Sequence, residues 1–162
     1  MKKSWKITAI MLIMILSVAV LSACGSSELV RPSMAEGATA VDVSGTCEAT
    51  LEGDVLKVTA TTNLDDGVIG RISVASYDGR VLEKKAITKS GDNLSAEFTV
   101  GSDWPETVYC FYVADPSEDG RQTDAVYEKY GKKFENMQGD QVIISANGLA
   151  LTLRSEKIDI PQ

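Results

Sequence analysis

The sequence predicts a mainly β fold: an antiparallel β-sandwich with one short helix between its late strands. Three observations predict it. From residue 39 onward, apolar and polar residues alternate with period two. Turn dipeptides punctuate the alternation, at Gly53-Asp54, Asp78-Gly79 and Asn147-Gly148. Helical spacing occurs once, where Val126, Tyr130 and Phe134 recur at four-residue steps. Many short strands separated by turns pack as two facing sheets, because each sheet has one apolar face to bury.

The chain opens on a leader. Lys2, Lys3 and Lys6 precede an uncharged apolar run from Ile7 to Ala23, and Leu21-Ser22-Ala23-Cys24 reads as a bacterial lipobox. Small residues before Cys24 let a peptidase reach the backbone, and the thiol then takes a diacylglyceryl lipid. Residues 1–23 are therefore expected to be a lipoprotein signal peptide and Cys24 the lipidation site. The alternative reading is a transmembrane anchor, for which the run is short. Residues 24–37, rich in Gly, Ser and Ala, read as a lipid-anchored flexible tether. Gly25-Ser26-Ser27 after the cysteine favours the outer leaflet of a Gram-positive-type cell membrane, with outer-membrane sorting as the alternative. The expected location is thus the extracytoplasmic face of the membrane, and residues 38–162 are one domain, long enough to bury a core.

Within that domain the strands follow in order. Cys47, Ala49 and Leu51 alternate with Glu48, Thr50 and Glu52; after Gly53-Asp54, Leu56, Val58 and Ala60 alternate with Lys57, Thr59 and Thr61. Residues 68–77 form the next strand, with Ile72 and Val74 inward. Residues 80–88 read as an edge strand, where Lys84 and Lys85 discourage pairing with another chain. Leu94, Ala96, Phe98 and Val100 alternate with Ser95, Glu97 and Thr99, and residues 107–114 are nearly all apolar. A helix capped by Thr123 or Asp124 is expected to run to about Glu135. Residues 142–146 and 149–153 flank Asn147-Gly148 as a hairpin, and residues 156–162 end the chain in an extended piece.

A resemblance emerges along this stretch. Thr62-Asn63-Leu64-Asp65-Asp66-Gly67, Ile72-Ser73-Val74, Asp78-Gly79-Arg80-Val81 and the Phe98 strand resemble the Ig-like domains of poorly characterised Gram-positive lipoproteins. Tyr130 to Gly139 is similar to the Gly/Glu-Asn-hydrophobic-x-Gly segment of such proteins. Asp65 stands where proline is more usual, and an Ig-type strand-C tryptophan is missing. The resemblance spans about residues 45–145. It implies an Ig-like sandwich and an anchored location, and it carries over no catalytic residue.

Composition narrows the chemistry. The chain has no histidine, which removes the commonest general base and transition-metal ligand. Its formal charge is −7, and more negative after the leader and its three lysines are gone. An acidic domain disfavours nucleic acid as a partner. Cys47 and Cys110 are an even pair in an exported domain, so a disulfide between facing strands is expected, with two buried thiols as the alternative. Asp115, Ser117 and Asp119, in Asp115-Pro116-Ser117-Glu118-Asp119-Gly120, fit the start of a calcium loop. Against that, Val126 occupies the place of the closing Glu, and an acidic turn ahead of a helix is the plainer reading. Trp104 and Tyr109 are candidate binding aromatics; either packing into the sandwich or an exposed Tyr109/Phe111 face fits the pattern. No nucleophile elbow or phosphate loop is present. The expectation is a non-enzymatic binding module for an envelope protein, a peptide or a cell-wall polymer. A structural or accessory subunit of an envelope complex is the alternative, followed by a calcium-dependent adhesion module.

Overall fold

The computed structural model describes residues 29–161. The expected leader, Cys24 and the start of the tether lie outside these residues. The elements in chain order are β1 (Val41–Asp42), β2 (Gly45–Glu52), β3 (Val55–Thr62), β4 (Ile69–Ser76), β5 (Val81–Thr88), β6 (Asn93–Thr99), β7 (Thr107–Ala114), α1 (Asp124–Tyr130), β8 (Met137–Gln138), β9 (Val142–Ser145), β10 (Gly148–Arg154) and β11 (Ile158–Asp159). A small antiparallel sheet of order β2-β3-β6 faces a larger one of order β5-β4-β7-β10-β9. The strand β11 extends the line of β10 along the start of β7 (Ile158 opposite Val108), and β1 pairs in parallel with β8. The fold is the expected β-sandwich.

Period two explains why the sheets stack. Leu56, Val58 and Ala60 on β3 and Leu94 and Phe98 on β6 are buried, and they meet Ile72 and Val74 of β4 and Val108, Cys110 and Tyr112 of β7. Successive strand residues point to opposite faces, so each strand supplies one inward row and one outward row. Burying such a side chain contributes roughly 1.5–3 kcal/mol, and the two inward rows together form one continuous core.

The turns differ in detail from the sequence reading. Gly53, at φ 64°, closes the two-residue hairpin between Glu52 and Val55 as expected. The β4–β5 connection is longer than two residues. It spans Tyr77 to Arg80, Ser76 donates its amide to the Arg80 carbonyl at 3.0 Å, and the register slips after Val74. At Asn147-Gly148 the glycine is not the turn residue: Ser145 pairs with Gly148, which begins β10. Its φ is 144°, and a Cβ there would stand 2.2 Å from the Lys133 carbonyl oxygen. That carbonyl accepts the Leu149 amide at 2.8 Å, so the glycine lets the 131–136 turn lie directly on β10.

The helix is shorter than expected. Thr123 caps it, its hydroxyl accepting from the Val126 amide at 3.3 Å, but it stops at Tyr130 because Gly131 adopts φ 86°. Phe134 is still fully buried, reached through its own left-handed turn (φ 54°) rather than along the helical stripe.

Gly148→Ala should lower stability by about 3 kcal/mol, since both the backbone angle and the Lys133 contact must shift. A urea melt followed by circular dichroism reads this as a fall in midpoint with little change in slope.

Candidate functional site

The sequence-predicted site residues are not brought together. Asp115 is 2% exposed, at the end of β7. Its Oδ1 accepts from the amides of Ser117 and Glu118, both at 3.0 Å, and from Asn147 Nδ2 at 2.9 Å; its Oδ2 accepts from Ser145 Oγ at 2.7 Å. Burial pushes its carboxyl up, but these four bonds outweigh burial and hold it below the ordinary carboxylate range. Asp119 is drawn away to Arg71, whose Nη1 lies 2.9 Å from it and 2.8 Å from Glu118. Asp115 and Asp119, two of the three residues expected to ligate calcium, are thus engaged with protein groups. The oxygens that should face a cation face N–H and O–H donors instead, and no metal-holding cluster of acidic or thiol groups occurs among the described residues. The loop is a clamp on the β9–β10 hairpin.

For the cysteine pair, the structure has the alternative of two buried thiols. Cys47 and Cys110 do face each other across the sandwich, but both are free, buried thiols. Cys47 Sγ lies 3.8 Å from the Cys110 carbonyl oxygen and donates to it. Burial pushes the Cys47 thiol up to about 11 and that of Cys110 up to about 12, so both stay protonated at neutral pH. Trp104 is only 6% exposed and packs over Gly101, where a Cβ would come within 2.9 Å of its ring. It belongs to the core, not to an open binding surface.

Tyr109 is placed differently. On β7 the even-numbered residues, Val108, Cys110, Tyr112 and Ala114, are buried; Thr107, Tyr109, Phe111 and Val113 are half-exposed on the opposite, outer face. The Tyr109 ring lies 6.4 Å from that of Tyr77, which is 82% exposed, and 5.3 Å from the Arg154 guanidinium carbon. Cross-strand register extends this patch. Lys84 of β5 pairs with Ser73 of β4, Ser73 with Phe111 of β7, and Phe111 with Arg154 of β10. Lys84 and Arg154 therefore flank Phe111 in one row across four strands. Beside the Tyr77 end lies a shallow groove of about 420 Å³ lined by Ser76, Asp78, Arg80, Pro105, Glu106 and Thr107.

The outer face of the small sheet is unlike it. There Thr46, Glu48, Thr50, Thr59, Thr61, Asn93, Ser95, Glu97 and Thr99 are exposed, with no aromatic ring among them. Tyr77 and Arg154 were not singled out in the sequence, and Lys84 was not singled out for binding. Lys84 reads there as edge protection, and nothing local reports that Arg154 stands two strands from Ser73. The remaining acidic pair, Asp65-Asp66, is structural: Asp65 meets Lys129 at 2.6 Å and Asp66 meets the buried Lys89 at 3.2 Å.

No helix among the described residues is long and apolar enough to cross a membrane. A scan against protein-family models and searches of curated proteins and of solved structures found no match.

Asp115→Asn should cost about 1–3 kcal/mol at neutral pH, because a neutral amide replaces a charged acceptor of four bonds. The carboxyl is depressed in the folded state. Its contribution is present above the unfolded value of about 4 and is lost as pH falls through the folded value. The gap between wild type and Asp115→Asn should therefore narrow as pH falls below about 4, read from urea midpoints. Thiol titration of the unfolded, unreduced domain lacking Cys24 should read both Cys47 and Cys110; a reading of neither would establish the disulfide.

Proposed function

We propose that this chain is a membrane-anchored, extracytoplasmic lipoprotein whose domain is an Ig-like, non-enzymatic binding module. The lipid on Cys24 holds the domain at the outer side of the membrane, and residues 24–37 set its reach. The Ig-like assignment is supported by the strand order. If β2, β3 and β6 are taken as strands A, B and E, then β4, β7 and β10 fall as C, F and G, with β5 moved to the edge beside C.

The observation that carries the binding reading is the asymmetry of the two outer faces. One is a field of threonine and other polar residues without an aromatic ring, its Lys57 paired with Glu52. The other exposes Tyr77, Val81, Tyr109 and Phe111 beside Lys84 and Arg154. Tyrosine, phenylalanine and arginine are the residues enriched where proteins meet other molecules, while threonine and glutamate are not. The partner class is an envelope protein, a peptide or a cell-wall polymer, met through this face.

Two measurements test the reading. Cys24→Ser should move the protein from the membrane fraction to the soluble fraction of the cell. Crosslinking of intact cells should give adducts that fall at least fivefold in a Tyr77→Ser/Tyr109→Ser variant and persist in Thr50→Ala, with both variants melting near wild type. Adducts that are equal in all three would remove the outer face of the large sheet from the binding surface.

A further inference from the structure

We infer that the outer face of the large sheet docks an acidic protein segment, one that lays an apolar contact on Tyr109 and Phe111 and sets carboxylates against Lys84 and Arg154. This rests on the binding reading above and names the chemistry of its partner.

Charge distribution is the first argument. The chain carries 23 acidic residues against 16 basic ones. Yet β4, β7, β9 and β10 contain no Asp or Glu at all. The one carboxylate on β5, Glu83, pairs with Val74 and so shares the inward side. The charges that β4, β5, β7, β9 and β10 present on the outer face are Arg71, Lys84 and Arg154, and β11 adds Asp159 opposite the outward Thr107. Arg71 is neutralised by Glu118 and Asp119 at one end of the face. At the other end Lys157 is paired with Asp159. Lys84 and Arg154 make no ion pair with a carboxylate among the described residues, and Arg154 instead lies over the Tyr109 ring. An acidic domain thus keeps the middle of one face free of carboxylate and sets two cations there.

Geometry is the second argument. Lys84 and Arg154 stand three strand spacings apart, about 14 Å at the usual separation of neighbouring strands. Between them lie Ser73 and Phe111, with Tyr109 one row along. A small anion cannot touch both cations at once, whereas a segment crossing the strands can. The face itself is flat rather than concave, and small ligands take concave sites. Opposite potentials on two surfaces also steer their encounter and set their register.

The test is site-specific photo-crosslinking in the native cell, with the full chain. A benzoylphenylalanine probe replaces Tyr77, which is exposed beside the patch; the same probe at Thr50 on the opposite face is the control. The expected result is an adduct from position 77 to a protein segment with net negative charge, lost at least tenfold in a Lys84→Glu/Arg154→Glu variant that melts like wild type. An adduct to a neutral or basic segment, to a polysaccharide, or one indifferent to the charge reversal would overturn the acidic-segment inference and leave the binding reading standing. No adduct at position 77 above that at position 50 would overturn both.

Discussion

The Asp115 carboxylate is the contact on which the second half of the domain depends. It sits where β7 leaves the sheet, and its oxygens gather donors from the following turn and from the β9–β10 hairpin. Gln122 completes the junction: its Oε1 accepts the Ile69 amide at 2.8 Å, and its Nε2 donates to the carbonyls of Ile69 at 2.7 Å and Asp115 at 3.0 Å. A buried charge is tolerated only when it is this well satisfied. The result is that the segment carrying α1 closes over one end of the sandwich, and Asp119 comes to rest on Arg71.

Two of the stretches singled out in the sequence, 62–67 and 130–139, turn out to touch. Asp65, in the loop after β3, pairs with Lys129 of α1, and its amide donates to the Tyr130 hydroxyl at 3.0 Å. Asp66 holds both Lys89 and the Gly91 amide, while the Lys89 ammonium reaches the Gly91 carbonyl. Asp65 and Asp66 are thus fasteners between loops. The half-exposed Asp65–Lys129 pair contributes only about 0.2–1 kcal/mol, so its work is to fix where the helix lies more than to stabilise the fold. Among the described residues the Tyr112 hydroxyl, Asn136 Oδ1 and Thr152 Oγ1 are buried without such a fastening, and burial pushes the ionisation of Tyr112 well above the ordinary tyrosine range. They mark where packing outweighed hydrogen bonding in the core.

Closing the core and the end of the barrel-like stack leaves the sandwich with two outer faces of opposite character. The small sheet spends its outward positions on threonine and short polar residues, which suit strands exposed to water. The large sheet spends them on aromatic rings and cations, at the cost of leaving apolar surface exposed. Isolated apolar residues on a surface are ordinary; rings gathered in neighbouring strands with a guanidinium over one of them are a surface arranged for contact.

By itself the sequence determined the strand positions and the inward rows, because period two and turn chemistry are local and β7 occupies residues 107–114 as predicted. It also placed the helix start at Thr123 or Asp124, of which the structure uses Thr123, and gave the apolar stripe of Val126, Tyr130 and Phe134. Tertiary structure decided what local pattern cannot carry. Whether Tyr109 or Tyr112 faces the core depends on which side the second sheet covers. Whether Cys47 meets a sulfur or a carbonyl depends on how the sheets are set against each other. Whether Asp115 and Asp119 hold a cation depends on Ser145, Asn147 and Arg71, all distant in sequence and brought in by the fold. The row from Lys84 to Arg154 is a product of register across four strands, and register is a relation between strands that no single strand contains.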